Sequence, residues 1–177
     1  VESQYRSSAS DSYSVNASLL AEKSAMIRAA AQQVVSEASS LSDLEKLKYY
    51  KTWICNNVAY DDNARQNANT QEDRSPWTVV NVFDGDSSTN VVCEGYSEAF
   101  QYLCDLTTFN SDIKVYCVSG NMSGGTGAGA HKWNVIHMDN GYNYIADITN
   151  IDSFGDDRLF MPGVSGDATG YTVSWEE

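Results

Sequence analysis

The chain has 177 residues, 42% of them hydrophobic and 11% aromatic, which suits one domain with a sizeable core and leaves too little for two. Its 24 acidic and 11 basic residues give a net charge of −13, so long-range repulsion excludes nucleic acid and anionic membranes as main partners and favours basic or neutral substrates. No apolar run is long enough to span a bilayer, and no basic-then-apolar leader is visible, so no membrane insertion is expected.

Residues 1–16 are polar and Ser-rich and read as a linker or disordered start; residues 17–177 read as a single domain. A helix is predicted over 17–39, with Asn16 able to cap it and a patchy apolar stripe of Leu20, Ile27, Ala31, Val34 and Ala38. Ser42-Asp43-Leu44-Glu45 has capping-box spacing and opens a second helix to about Asn57. Its buried face is expected to be Leu44, Leu47, Tyr50, Ile54 and Val58, at steps of three and four. Residues 61–76 read as a long surface loop, and Trp77 to Phe83 as one or two helical turns. Asp84 to Asn90 is a turn cluster; twelve positions from Asp84 falls on Gly95 rather than a bidentate Glu, so it is not a calcium loop of the EF-hand type.

Val92-Cys93-Glu94-Gly95-Tyr96 then enters a helix whose apolar residues Tyr96, Phe100 and Leu103 face a core. Cys93 stands in its first turn, where unpartnered N–H groups carry roughly +0.5 of an elementary charge and favour thiolate over thiol. Gly95 is expected to keep that turn open beside the sulfur. Glu94 and Glu98, one turn apart, read as a solvated face. Residues 113–118 read as a strand, followed by a connection with five glycines between Gly120 and Ala130, free in backbone shape and leading to His131.

His131 to Met138 and Tyr142 to Thr149 read as two strands joined by Asp139-Asn140-Gly141. A two-residue turn would put Asp147 on the face opposite His131. A three-residue turn with Gly141 left-handed pairs Met138 with Tyr142, sets Trp133 opposite Asp147, and makes His131 and Asp147 diagonal neighbours on one face. Glycine at the third position favours the three-residue turn. Trp133 shares the His131 face and Asn134 points away. His137 lies some 20 Å along the strand from His131 and reads as structural. The tail mixes turns with a closing strand over 171–175.

The cysteines stand at 55, 93, 104 and 117. No Cys-x-x-Cys pair occurs and neither histidine is close to a cysteine in sequence, so no zinc site is expected; Cys55, Cys104 and Cys117 read as buried thiols rather than a disulfide. The chain thus offers a cysteine at a helix start, a histidine at a strand start and an aspartate on the neighbouring strand. A thiolate attacks an acyl carbon, an imidazole stabilises it and protonates the leaving amine, and a carboxylate orients the imidazole. Helix-start N–H groups, that of Cys93 included, can hold the oxyanion. No metal or organic cofactor is required.

On these residues the chain resembles the transglutaminase-like superfamily, a branch of the papain-like cysteine enzymes. Val92 to Phe100, with Leu103-Cys104 after it, is similar to that family's nucleophile stretch; His131-Lys132-Trp133-Asn134 to its His-x-Trp-Asn element; Asp147-Ile148-Thr149 to its Asp-x-Thr element. Lys51-Thr52-Trp53-Ile54 through Tyr60-Asp61 resembles its helix ending in an aromatic–aspartate pair. The likeness covers residues 42–152. It departs in a glycine-dense stretch before His131 and a long acidic loop at 84–90, both of which bear on substrate choice.

The resemblance implies an α+β fold with a papain-like/transglutaminase core, N-terminal helices and the nucleophile helix packed on an antiparallel β-sheet. It implies Cys93, His131 and Asp147 as the catalytic residues, with Trp133, Gly95 and Asn134 supporting the site or substrate. The implied activity is acyl transfer on protein or peptide amides through a thioester, as a cysteine protease or amidase, or as a protein-glutamine transamidase. The alternative is a catalytically silent binding or cell-wall-associated module. The Val1 start, serine-rich lead and acidic surface lead us to expect a trimmed, secreted or cell-surface bacterial protein.

Overall fold

A computed structural model describes residues 3–70, 75–123, 129–163 and 172–175, the last by backbone alone. Residues 124–128, which hold three of the five glycines of the connection, lie outside the described residues, as do Tyr171 and the Gly166-Asp167 turn.

Helix α1 spans Ala17–Glu37, and the Asn16 side chain accepts from the Leu19 N–H at its start. Ahead of it, Ser3–Tyr5 forms a 3-10 turn, and the Tyr5 carbonyl accepts from the Asn16 N–H. Helix α2 spans Asp43–Asn57 and opens on the expected box, with the Glu45 carboxylate taking both the N–H and the hydroxyl of Ser42. Leu47, Tyr50, Ile54 and Val58 are buried as the periodicity requires, but Leu44 is exposed. In the first turn of α2 the inward positions are taken by Asp43 and Lys46, which bond to residues 108–111, so Leu44 faces outward. The loop expected over 61–76 contains a short helix, α3, at Asp62–Gln66. The Asp61 side chain caps it through the Ala64 N–H, a start signal that five residues without an apolar period do not advertise. Two 3-10 segments, Ser75–Trp77 and Val79–Val82, fill the next stretch.

Helix α4 runs Cys93–Asp105, with strands β1 at Lys114–Ser123, β2 at Gly129–His137 and β3 at Asn143–Ala146. The second hairpin strand stops three residues before the expected Thr149. Asp147 turns the chain and caps helix α5, Ile148–Phe154, by accepting from the Asn150 N–H. An aspartate here reads equally as strand or as helix cap, and α5 is too short for its own periodicity to decide. Strands β4 (Phe160–Gly163) and β5 (Thr172–Trp175) complete an antiparallel sheet in the order β4-β3-β2-β1-β5.

Helix α4 packs on β1 and β2, and α1 and α2 pack on α4. The N-terminal helices therefore reach the sheet through α4, which is why Tyr96, Ala99, Phe100 and Leu103 are wholly buried. Even-numbered residues of β2 face α4: Lys132, Asn134 and Ile136. Odd-numbered ones face the other way, where Trp133, Val135 and Ile145 form a second, smaller cluster. Among the described residues no helix is long and apolar enough to cross a membrane.

Candidate active site

The approach to Cys93 is fixed by three backbone hydrogen bonds to two other stretches of chain. Tyr60 and Val91 form a parallel bridge, with the Asp61 N–H donating to the Val91 carbonyl and the Val91 N–H to the Ala59 carbonyl. The Val92 N–H donates to the Pro76 carbonyl. Helix α4 then starts on Cys93 itself, so its thiol sits at the positive end of a 13-residue helix. The close neighbour of Gly95 is Val91. A Cβ there would come within 2.6 Å of the Val91 Cβ, so the glycine lets the helix start lie against the strand-like segment before it.

The hairpin has the register of the three-residue turn. Asn134 pairs with Ala146 and His137 with Asn143. Met138 and Tyr142 close the turn, and Gly141 is left-handed at φ 79°. One step on, this register brings Asp147 beside His131. Their side chains meet at 2.8 Å, His131 Nε2 to Asp147 Oδ2, both buried. The Cys93 side chain is close enough to the imidazole to add to what favours its charged form. With Nε2 committed to Asp147, Nδ1 is the ring nitrogen left for the sulfur. Burial alone would drive the proton off His131. The bond to Asp147 and the nearness of Cys93, with the negative charge each can carry, outweigh it and push the imidazole up to about 10.

Trp133 is buried and stacks on the His131 ring at 5.9 Å between centroids and 17° between planes. It closes one face of the imidazole to water. Asn134 lies on the α4 side, as strand parity requires, and its Nδ2 donates to the Ser97 carbonyl at 3.0 Å. It joins β2 to α4 and does not touch the imidazole. Glu94 and Glu98 are not simply solvated: both pair with Lys132, at 2.7 and 3.3 Å, tying the first two turns of α4 to β2 next to His131. His137, at the far end of β2, pairs with Asn143.

Two residues outside the expected set belong to this neighbourhood. The Tyr60 hydroxyl is pushed up to about 12, chiefly by burial and then by its proximity to Cys93, so it stays a neutral phenol. Asn150, in the first turn of α5, donates from Nδ2 to Asp147 Oδ2 at 2.6 Å. Asn150 had no sequence signal, because the segment reads as strand until the helix is seen.

All four cysteines are free. Burial pushes the thiols of Cys55 and Cys117 up, to about 12 and about 11, and that of Cys104 well above its ordinary value. A cavity of about 450 Å³ lies elsewhere, between α2 and α5, lined by Lys51, Cys55, Asp152 and Asp157.

No family model matches the sequence, and no curated protein does. Among solved structures the chain is similar to a crystal structure of a TGase, a transglutaminase, with a TM-score of 0.52 and 17% identity over 78% of this chain. The chain spans 34% of that protein's length. The α+β fold of this protein is thus transglutaminase-like.

Proposed function

We propose that the protein catalyses thiol-dependent acyl transfer on protein or peptide amides, with Cys93 as nucleophile, His131 as acid and base, and Asp147 as the group that orients His131. The observation that supports this reading is the buried His131–Asp147 pair, 2.8 Å apart, with Cys93 at the start of α4 near enough to raise the imidazole. The transglutaminase-like fold, with α4 packed on β1 and β2, is consistent with it.

The Cys93 thiolate adds to the amide carbonyl carbon, and the oxyanion turns to the N–H groups at the α4 start. As the C–N bond breaks, the His131 imidazolium gives its proton to the leaving amine, leaving a thioester on Cys93. Water or an amine then attacks the thioester, His131 takes the proton of the attacking group, and the thiolate departs. An imidazole held up to about 10 keeps the required proton at neutral pH. Hydrolysis and transamidation differ only in this second acceptor, and the buried Trp133 face, which limits water at the imidazole, favours amines.

The test is iodoacetamide alkylation with peptide mapping at neutral pH. Cys93 labels ahead of Cys55, Cys104 and Cys117, whose burial keeps them as thiols, and His131→Ala slows Cys93 by about tenfold or more. Equal labelling in both proteins returns the chain to a binding module with an idle site. Dansyl-amine incorporation into a glutamine peptide, run beside cleavage of the same peptide, then separates transamidase from protease.

A further inference from the structure

We infer that Asn150 is a positioning residue for the His131–Asp147 pair: its side-chain amide holds the same carboxylate oxygen that receives the imidazole N–H.

The Asp147 carboxylate is held at both oxygens. Oδ1 accepts from the Asn150 backbone N–H at 3.2 Å, which is ordinary helix capping. Oδ2 accepts from His131 Nε2 at 2.8 Å and from Asn150 Nδ2 at 2.6 Å. The Asp147 backbone is fixed in turn, its N–H donating to the Leu159 carbonyl at 3.1 Å. Asn150 is buried, so its amide cannot exchange these bonds for water.

The orientation of that amide follows from its neighbours. Nδ2 lies 3.2 Å from the Met122 sulfur as well as 2.6 Å from Oδ2, and both are acceptors. A flipped amide would set its carbonyl oxygen against both. The 3.4 Å approach of Nδ2 to His131 Nε2 is then a contact between two donors that share one acceptor, since Nε2 donates to Oδ2. The geometry needs Nε2 protonated, which leaves Nδ1 as the site that gives and takes the catalytic proton.

A helix cap needs only the backbone bond to Oδ1. The second bond, to Oδ2, does something the cap does not. It stops the carboxylate rotating about its Cβ–Cγ bond and turning Oδ2 away from the ring. The ionisable groups that face the imidazole are Cys93 from α4 and Asp147 from the head of α5. Loosening Oδ2 removes part of what keeps the ring charged, without touching the sulfur. This inference rests on the catalytic reading above and adds to it a residue that touches neither substrate nor nucleophile.

The chain has two histidines, so ring-15N NMR of histidine-labelled protein follows His131 directly, with His131→Ala assigning its signals. Asn150→Ala lowers the His131 titration midpoint by about one pH unit, the scale of one lost hydrogen bond to a charged group. It slows neutral-pH alkylation of Cys93 by a few-fold. Asn150→Asp keeps the shape and suits the first turn of a helix, so a purely structural residue would tolerate it. Its new carboxylate beside Nε2 raises the His131 midpoint by charge alone, so it serves as the fold control and Asn150→Ala is the variant that reads positioning. Should Asn150→Ala fold and leave the midpoint where it is in the wild type, Asn150 is only a capping residue and the inference is wrong. That result leaves the catalytic reading intact so long as His131→Ala still slows alkylation. If His131→Ala has no effect on Cys93, the catalytic reading itself falls, and Asn150 then positions nothing.

Discussion

The proton on His131 is contested by its surroundings. Burial favours the neutral ring; two acidic partners beside it favour the charged one, and the partners win. Removing either partner therefore has a fixed sign. In Cys93→Ala the ring keeps its burial and its bond to Asp147 but loses the sulfur, so its titration midpoint falls from about 10 towards the ordinary 6.5. Histidine NMR titration of this variant reads the coupling of sulfur and imidazole without needing a substrate. A midpoint unchanged by the substitution means the two groups do not interact. A second buried acid depends on Tyr96, whose hydroxyl donates to Asp152 Oδ2 at 2.6 Å across the α4–α5 seam. Tyr96→Phe strands a carboxyl that burial already pushes up. Because Asp152 is only half removed from water, the cost in urea unfolding is about 1 kcal/mol rather than the upper end for a lost buried bond.

At the scale of elements, the junction between the Tyr60–Val91 bridge and α4 decides whether Cys93 is presented at all. Alanine at position 95 improves helix propensity by about 1 kcal/mol, yet its Cβ meets the Val91 Cβ at 2.6 Å. Overpacking costs about 1–3 kcal/mol, so Gly95→Ala destabilises on balance and shifts the helix start, slowing Cys93 alkylation. Val91→Ala leaves the offending Cβ in place and rescues little; the rescue in a Gly95→Ala background requires Val91→Gly. Thermal unfolding of the three proteins checks the order.

The same element scale shows what was legible in the sequence. The α2 box, the α4 period and the Gly141 turn each carry a local signal strong enough to survive tertiary context, and the turn alone fixed which face Asp147 shares. What was hidden is nonlocal or too short to have a period. Asp147 announces a cap as readily as a strand residue; α3 is five residues long; Asn150 acquires meaning only when α5 folds back onto β2. Gly95 was legible as a steric exemption, but its beneficiary, Val91, lies on the chain segment packed against it rather than in the open site.

For the molecule as a whole, the charged pair ties stability to pH. The unfolded chain holds a histidine of ordinary value, near 6.5; the folded chain holds His131 at about 10. Between those values folding takes up a proton. The contribution is complete below pH 6.5 and drains as the pH rises through 10, the sign that follows when the folded value is the higher one. In urea unfolding at pH 6 and pH 10, the wild type therefore loses more stability over that interval than His131→Ala, which has no proton there to lose. The −13 charge of the chain grows in the same interval as tyrosines and lysines titrate, and that repulsion destabilises both proteins alike. Only the difference between the two proteins reports on the site. Two parallel losses would mean that His131 enters and leaves the fold with the same affinity for its proton, and a ring so indifferent to Asp147 could not serve as a poised acid.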